Sequence, residues 1–378
     1  MSPPDHLAPV FAQYAMEVVG AEGVWLHTRD GRRVLDLYGG HAVAALGYGH
    51  PGWTRAVSAQ AAACNFQSNA VPMDVRVRAA TKLARFAGGH FDSIFFVNSG
   101  AEANENALRM AFKMTRRTRV VAVEGAFHGR TAAAGAVTWG ADKKWYEFPR
   151  TPFEVSWLPR RDIAAIAGTV GEDVAAVIVE PVQGVGGAFD MGAGFLAALR
   201  ARCDAVGAVL LFDEVQIGVG RSGHPFGADL YGVRPDMITT AKALGNGFPC
   251  GALLMTPAVT AALKLEGLGT TFGGGPMACA AIEATLDAIV SQDLMANVRR
   301  VSQYIRDTCT VGPVVGHQGA GFLHGLICDR PAKEVQAALL AQNILAGTSG
   351  DPRVVRLLPP YTLREAEVDL LRTALESL

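Results

Sequence analysis

The stretch DMITTAKALGNGFPCG, Asp236–Gly251, sets one lysine, Lys242, between a short β-like run, Met237–Thr240, and the loop Gly245-Asn246-Gly247. A lysine so placed is held near a pocket floor and partly desolvated. Desolvation lowers the pKa of an amine and makes it a nucleophile toward aldehydes. Taken alone, Lys242 reads more readily as an ordinary surface lysine. The chemical reading stands only if other parts of the chain supply further partners for one ligand.

On either side of this stretch, strand and helix patterns alternate. Short apolar runs at Ser93–Val97, Arg119–Val123, Val174–Val179, Ala208–Phe212, Met237–Thr240 and Ala252–Met255 are separated by helical stretches at 101–116 and 195–206. Continuous apolar strands between helices predict a largely parallel sheet covered on both faces, an α/β fold. Upstream, GVWLHTRDGRRVLDLY (23–38) carries a hairpin signal at Asp30-Gly31, and helices are expected at 54–63 and 75–86, the latter with Ala79, Ala80, Leu83 and Ala84 on one face. Downstream, a long helix at 276–290 leads into an α+β part whose last strand is expected at 354–358, before Pro359-Pro360.

Ligands in open α/β sheets gather at the carboxyl ends of strands, and several strand ends here carry unusual residues. Asn98-Ser99-Gly100-Ala101 joins a strand to a helix start, where backbone N–H groups and the helix dipole favour a phosphate. A plain Ser N-cap explains the same residues. Phe127-His128-Gly129-Arg130 offers an aromatic to cover a flat ring and an arginine for a carboxylate, or simply a buried Phe and a surface Arg. Asp213 closes the hydrophobic run VLLFD and must be paired; a protonated pyridine nitrogen is one such partner, a helix cap or an internal ion pair another. Gln216 is close enough in sequence to reach substituents of the same ring. Gly218–Gly223 fits GxGxxG, but His224-Pro225 and Gly227 follow at once with no helical periodicity, so a dinucleotide is not expected there. A lysine nucleophile, a carboxylate, an aromatic and a phosphate cradle are the parts a pyridoxal 5'-phosphate site requires.

Composition narrows the partners. The 378 residues are 50% hydrophobic and carry a formal net charge of -1, so two domains are affordable and nothing favours nucleic acid or an anionic membrane. The start, MSPPDHLAPV, lacks a basic segment before an apolar run, and no uncharged apolar stretch is long enough to span a bilayer. The six cysteines form no CxxC pair and read as reduced thiols in a cytoplasmic protein, without a metal site.

The segments NSGAEANE (98–105), FHGRT (127–131), EPVQGVGG (180–187), LLFDEVQIGVGRSG (210–223), TTAKALGNGFPCGA (239–252), GTTFGGGPMACA (269–280) and VVRLLPP (354–360) resemble, in order, those of the class III, ornithine-type aminotransferases of the fold-type I pyridoxal-phosphate superfamily. Within it they are most similar to the acetylornithine/succinylornithine group. The resemblance implies a mostly parallel-sheet large domain, 49–276, and a smaller α+β domain built from both chain ends, 1–48 and 277–378. It implies that Lys242 is the Schiff-base lysine and proton shuttle, that Asp213 pairs the pyridine nitrogen and that Phe127 stacks on the ring. Gly100 and Ala101 bind the phosphate, and Glu214, Val215 and Gln216 border the ring. Thr271 binds the phosphate of the neighbouring subunit's cofactor in a homodimer, with Thr270 beside it near the substrate. Arg356 takes the carboxylate beside the reacting carbon of glutamate, and Arg130 takes the far carboxylate. The implied reaction moves the δ-amine of an N-acylornithine to 2-oxoglutarate, in arginine biosynthesis; the neighbouring alternatives are 4-aminobutyrate, ornithine, acetyllysine or succinyldiaminopimelate as donor, or an aminomutase. Two positions depart from the family. Val185 stands where a glutamate is usual that can pair with the arginine matching Arg356, and Phe11 stands where many relatives carry tyrosine near the distal substrate pocket.

Overall fold

The computed structural model describes residues 6–378; positions 1–5, part of the stretch read for a leader, lie outside the described residues. A seven-stranded sheet forms its centre, in the spatial order Ser93–Val97, Gly251–Met255, Met237–Thr240, Val209–Asp213, Val174–Val179, Arg119–Val123 and Glu154–Leu158. Only Gly251–Met255 runs antiparallel, against both its neighbours; every other pairing is parallel. Six strands therefore end on the same side. The reason is visible in composition. Val174–Val179 (VAAVIV) and Val209–Asp213 (VLLFD) are buried at every residue, as interior strands covered on both faces must be.

Helices close both faces. Gly100–Thr115 starts at Ser99, whose hydroxyl accepts from Glu102 N at 3.2 Å, while the Glu102 carboxylate accepts from Asn98 N at 2.6 Å. These reciprocal bonds satisfy donors that a helix start otherwise leaves unpaired. The helix Asp74–Phe86 buries Val75, Ala79 and Leu83, spaced by four, with Ala80 and Ala84 only half-buried. Ala79 and Leu83 of the expected stripe are thus its buried line, which Val75 extends by one turn toward the helix start.

The chain ends build the remaining sheets. Trp25–Thr28 and Arg33–Asp36 form the expected hairpin; Val18–Glu22, which the sequence reading did not foresee, pairs antiparallel with the first of them, and Ile344–Leu345 joins the second in parallel. Val314–Ala320, Leu323–Cys328 and Val354–Leu357 form an antiparallel sheet. Among the described residues no helix is long and apolar enough to cross a membrane, and no group of three or more His, Cys, Asp or Glu side chains could hold a metal.

Candidate active site

The shared carboxyl ends of the parallel strands open on a cleft of about 370 Å³. Each of five strands delivers a residue to it. Asn98 follows the first, Phe127 the loop after Arg119–Val123, Glu180 the strand Val174–Val179; Asp213 ends its own strand, and Lys242 lies two residues past Thr240. Lys242 opens a short 3₁₀ turn, Lys242–Gly245, with φ of 46°. A non-glycine residue in left-handed backbone is held there by its surroundings, a cost that concentrates at functional positions. Burial lowers the Lys242 pKa to about 8, although the charges of Asp213 and Glu180 pull it back upward. Among the described residues no hydrogen bond or ion pair ties its amine down.

Asp213 is held from three sides. Its Oδ2 accepts from Asn104 Nδ2 and meets His128 Nδ1, both at 2.7 Å, and its Oδ1 accepts from Val215 N at 3.0 Å. Asn104 in turn accepts from Thr239 Oγ1 at 2.6 Å and donates to His128 O at 2.7 Å. One buried amide thus ties together the ends of three segments. At the other side of the cleft, Gly100 and Ala101 present the first N–H groups of a 16-residue helix. Gly100 is required by close packing: a Cβ there would lie 2.6 Å from Val215 Cγ2. Gln216 Oε1 is buried on the cleft wall with no hydrogen-bond partner among the described residues.

The family model for Aminotransferase class-III matches residues 9–378. The chain belongs to the class III aminotransferases. It is 41% identical to a protein of Streptomyces coelicolor named acetylornithine aminotransferase, over 95% of this chain and 90% of that one. It is 36% identical to the Bacillus subtilis protein of the same name, over 96% and 94%. Its fold matches the solved ornithine aminotransferase of Toxoplasma gondii with a TM-score of 0.92 at 26% identity, covering 98% of this chain and 92% of that one. This aminotransferase uses pyridoxal 5'-phosphate, and its residues fit that cofactor. Unpaired N–H groups at a helix start suit a phosphate, Gln216 leaves a buried acceptor unfilled, and Phe127, Asp213 and Lys242 all line the same space.

Other expected site residues of the aminotransferase fall elsewhere. Glu214 does not face the cleft. Its buried carboxylate accepts from Gly227 N and from Ala228 N (2.9 Å), its own N–H donates to Thr239 O, and burial pushes its pKa up to about 8. Arg130 is exposed, with its guanidinium over the Trp145 ring at 5.5 Å, and does not line the cleft. Thr270 and Thr271 also lie off the cleft of their own chain, beside the exposed ring of Phe272. Arg356 is buried, and its three hydrogen bonds go to neutral groups: Thr348 O at 2.8 Å, Gly184 O at 3.0 Å and Tyr38 Oη at 3.2 Å. Among the described residues no carboxylate forms an ion pair with it, although the charge of Glu180 acts on it from a distance. Phe11 is exposed, whereas the phenol of Tyr14 lies within electrostatic reach of Arg356.

Sequence reasoning missed Asn104, His128 and Glu180. An asparagine inside a helix competes for backbone hydrogen bonds and is a poor helix former, so Asn104 carried a signal. Glu180 closes an apolar strand as Asp213 does. It accepts from Phe127 N and Gly184 N, both at 2.9 Å, and burial raises its pKa. The loop at 218–223 holds no dinucleotide geometry: no helix begins inside it, and Arg221 fills it, wholly buried on Ala42 O, Phe322 O and Pro359 O.

Proposed function

We propose that this aminotransferase moves the δ-amino group of N-acetylornithine, or of N-succinylornithine, to 2-oxoglutarate, giving the N-acylglutamate semialdehyde and glutamate. Relatives named acetylornithine aminotransferase, at 36–41% identity over nearly the whole chain, support the amine donor. The observation that carries the acceptor is Arg356, a buried guanidinium held only by neutral groups. A carboxylate is the partner such a group lacks, and charge-assisted bonds to it outweigh neutral ones.

Pyridoxal phosphate, once bound, supplies an aldehyde that takes the amino group and a ring that takes up electrons from the reacting carbon. Gly100 and Ala101 N–H would hold its phosphate, Phe127 would cover one ring face, Val215 and Gln216 would border the ring, and Asp213 would hold the proton on the ring nitrogen. Lys242 Nζ would be the covalent anchor of the aldehyde. As a free amine it would be placed to take a proton from the δ-carbon and return it, which its lowered pKa of about 8 suits. Arg356 receives the carboxylate next to the keto carbon of 2-oxoglutarate. Arg130, without an ion pair among the described residues, is left for the far carboxylate.

The same reading takes a homodimer as the working unit, with Thr270 and Thr271 completing the partner's site. It is supported by the helix Pro51–Ala63, which buries none of its residues within its own chain, and by Phe272, 64% exposed and ringed against Phe66 at 5.3 Å. The division into a large domain, 49–276, and a small one from both ends, 1–48 and 277–378, belongs to this proposal. So does work in arginine biosynthesis in the cytoplasm, with which six free cysteines agree. Steady-state kinetics on N-acetylornithine, N-succinylornithine, ornithine and 4-aminobutyrate test the donor. The acylated ornithines should lead in kcat/KM; a tenfold preference for ornithine or 4-aminobutyrate overturns the assignment.

A further inference from the structure

After the strand Arg33–Asp36 the chain passes through four successive residues of left-handed backbone: Gly39, Gly40, His41 and Ala42, with φ of 54°, 57°, 64° and 69°. Glycine adopts this conformation freely; His41 and Ala42 do so against their preference. Strong anchors hold the turn. Asp36 Oδ1 accepts from Tyr38 N at 2.8 Å and Gly39 N at 2.9 Å, and Arg221 donates to Ala42 O at 3.0 Å. A Cβ on Gly39 would lie 2.5 Å from Leu358 O, so only glycine fits that close approach. Strain kept by such anchors marks a side chain that must be aimed.

The aimed side chain is His41. Its ring tilts against Tyr38, centroids 4.6 Å apart, with Nδ1 2.7 Å from Tyr38 Oη. The same phenol takes a hydrogen bond from Arg356 at 3.2 Å. Arginine only donates, so the phenolic oxygen must accept from Arg356. The phenol's own hydrogen can then go to His41 Nδ1, which places the imidazole hydrogen on Nε2. His41 keeps an exposed edge, yet partial burial and the charges of Arg356 and Lys242 hold its pKa below the usual value, which agrees with a neutral ring.

We propose that Tyr38 and His41 form a neutral gate on Arg356. Tyr38 caps the guanidinium while a donor without a carboxylate on its reacting carbon is bound. His41 fixes the phenol's proton so that its oxygen faces Arg356. A 2-oxo dicarboxylate displaces the phenol, because a carboxylate makes the stronger bond to the guanidinium. An acidic side chain in that place would compete with the substrate on equal terms; a phenol does not. His41 and Tyr38 are positioning residues, acting through Arg356, and the proposal rests on the reading of Arg356 as a carboxylate site.

The test compares both half-reactions in single turnover for the holoenzymes Tyr38→Phe, His41→Phe and His41→Gln, with glutarate as a competing probe. Tyr38→Phe keeps the ring that packs in the fold and removes only the cap. Uncapping should tighten glutarate and lower the KM for 2-oxoglutarate about threefold to tenfold, the worth of one hydrogen bond, with kcat little changed. It should weaken the amine-donor half-reaction by a similar factor. His41→Phe should move both in the same directions by less, and His41→Gln, which restores an acceptor, should return them toward wild type. Equal changes in the two half-reactions, or no change in glutarate affinity, overturn the gate. Should Arg356→Ala itself leave 2-oxoglutarate unaffected, the underlying carboxylate reading fails instead.

Discussion

Replacing Asp213 by asparagine tests the electrostatic centre of the site. The carboxylate is 4% exposed and accepts on both oxygens, from Asn104 and His128 on one and from Val215 N on the other. An asparagine can place its oxygen toward Asn104 and His128, but its NH₂ then faces Val215 N–H, donor against donor. The reverse orientation creates two such conflicts. One unmet buried donor costs about 1–3 kcal/mol, so the variant should melt at a lower temperature. The chemical loss is larger. Removing one member of a buried charge pair costs roughly 3–5 kcal/mol, or about 150- to 5,000-fold. The assay is the single-turnover half-reaction with N-acetylornithine, followed by cofactor absorbance, with cofactor retention measured by dialysis. The half-reaction should slow by two to four orders of magnitude while retention falls much less. A half-reaction within about tenfold of wild type would show that the ring nitrogen has another partner.

Lys242 gives two outcomes. Borohydride should fix the cofactor on Lys242 and on no other lysine, and Lys242→Ala should keep the cofactor while losing turnover by orders of magnitude. Because its pKa is lowered from 10.5 to about 8, the free amine dominates above that pH. Capture of pyridoxal phosphate by cofactor-free enzyme should therefore rise with pH, reach half its maximum near pH 8 and level off; a rise continuing past pH 10 contradicts the lowered pKa. Arg356→Ala should cost about 2–5 kcal/mol in the 2-oxoglutarate half-reaction, roughly 30- to 5,000-fold, and much less with N-acetylornithine. Val185→Glu, beside the segment whose Gly350 N donates to Val185 O, should weaken 2-oxoglutarate binding; unchanged affinity would show that an acid at 185 does not reach Arg356.

The interior strands were legible because burial on both faces leaves an unbroken apolar run, as in VAAVIV and VLLFD. Glu154–Leu158 was not, since it is the sheet's edge and its residues EVSWL are mostly half-exposed. The placement of Glu214 could have been read from the strand period. Successive side chains point to opposite faces, so Asp213 and its neighbour could not both face the cleft. Asp213 itself had an expected need for a partner, but Asn104 and His128 lie 109 and 85 positions away, and only the folded chain brings them together. Arg356 likewise needed a partner in place of the missing acid. Two carbonyls and a phenol 318 positions distant supply it, which no local pattern records. Arg130 shows the converse: a motif places a backbone, not the direction of a long side chain.

The formal net charge of -1 hides a local field of the opposite sign. Lys242 lines the cleft, and Arg356 and Arg221, buried outside it, lie within electrostatic reach: both disfavour the charged form of Lys242, and Arg356 and Lys242 disfavour that of His41. Against them stand Asp213 and Glu180. Burial raises the pKa of Glu180, and so weakens its hold on the positive charge. A site with this balance is least comfortable without an anion. It receives two in the proposed reaction, the cofactor's phosphate at the helix start and a dicarboxylate at Arg356. The neutral cap on Arg356 fits the same balance, because it leaves the second of these charges for the substrate to bring.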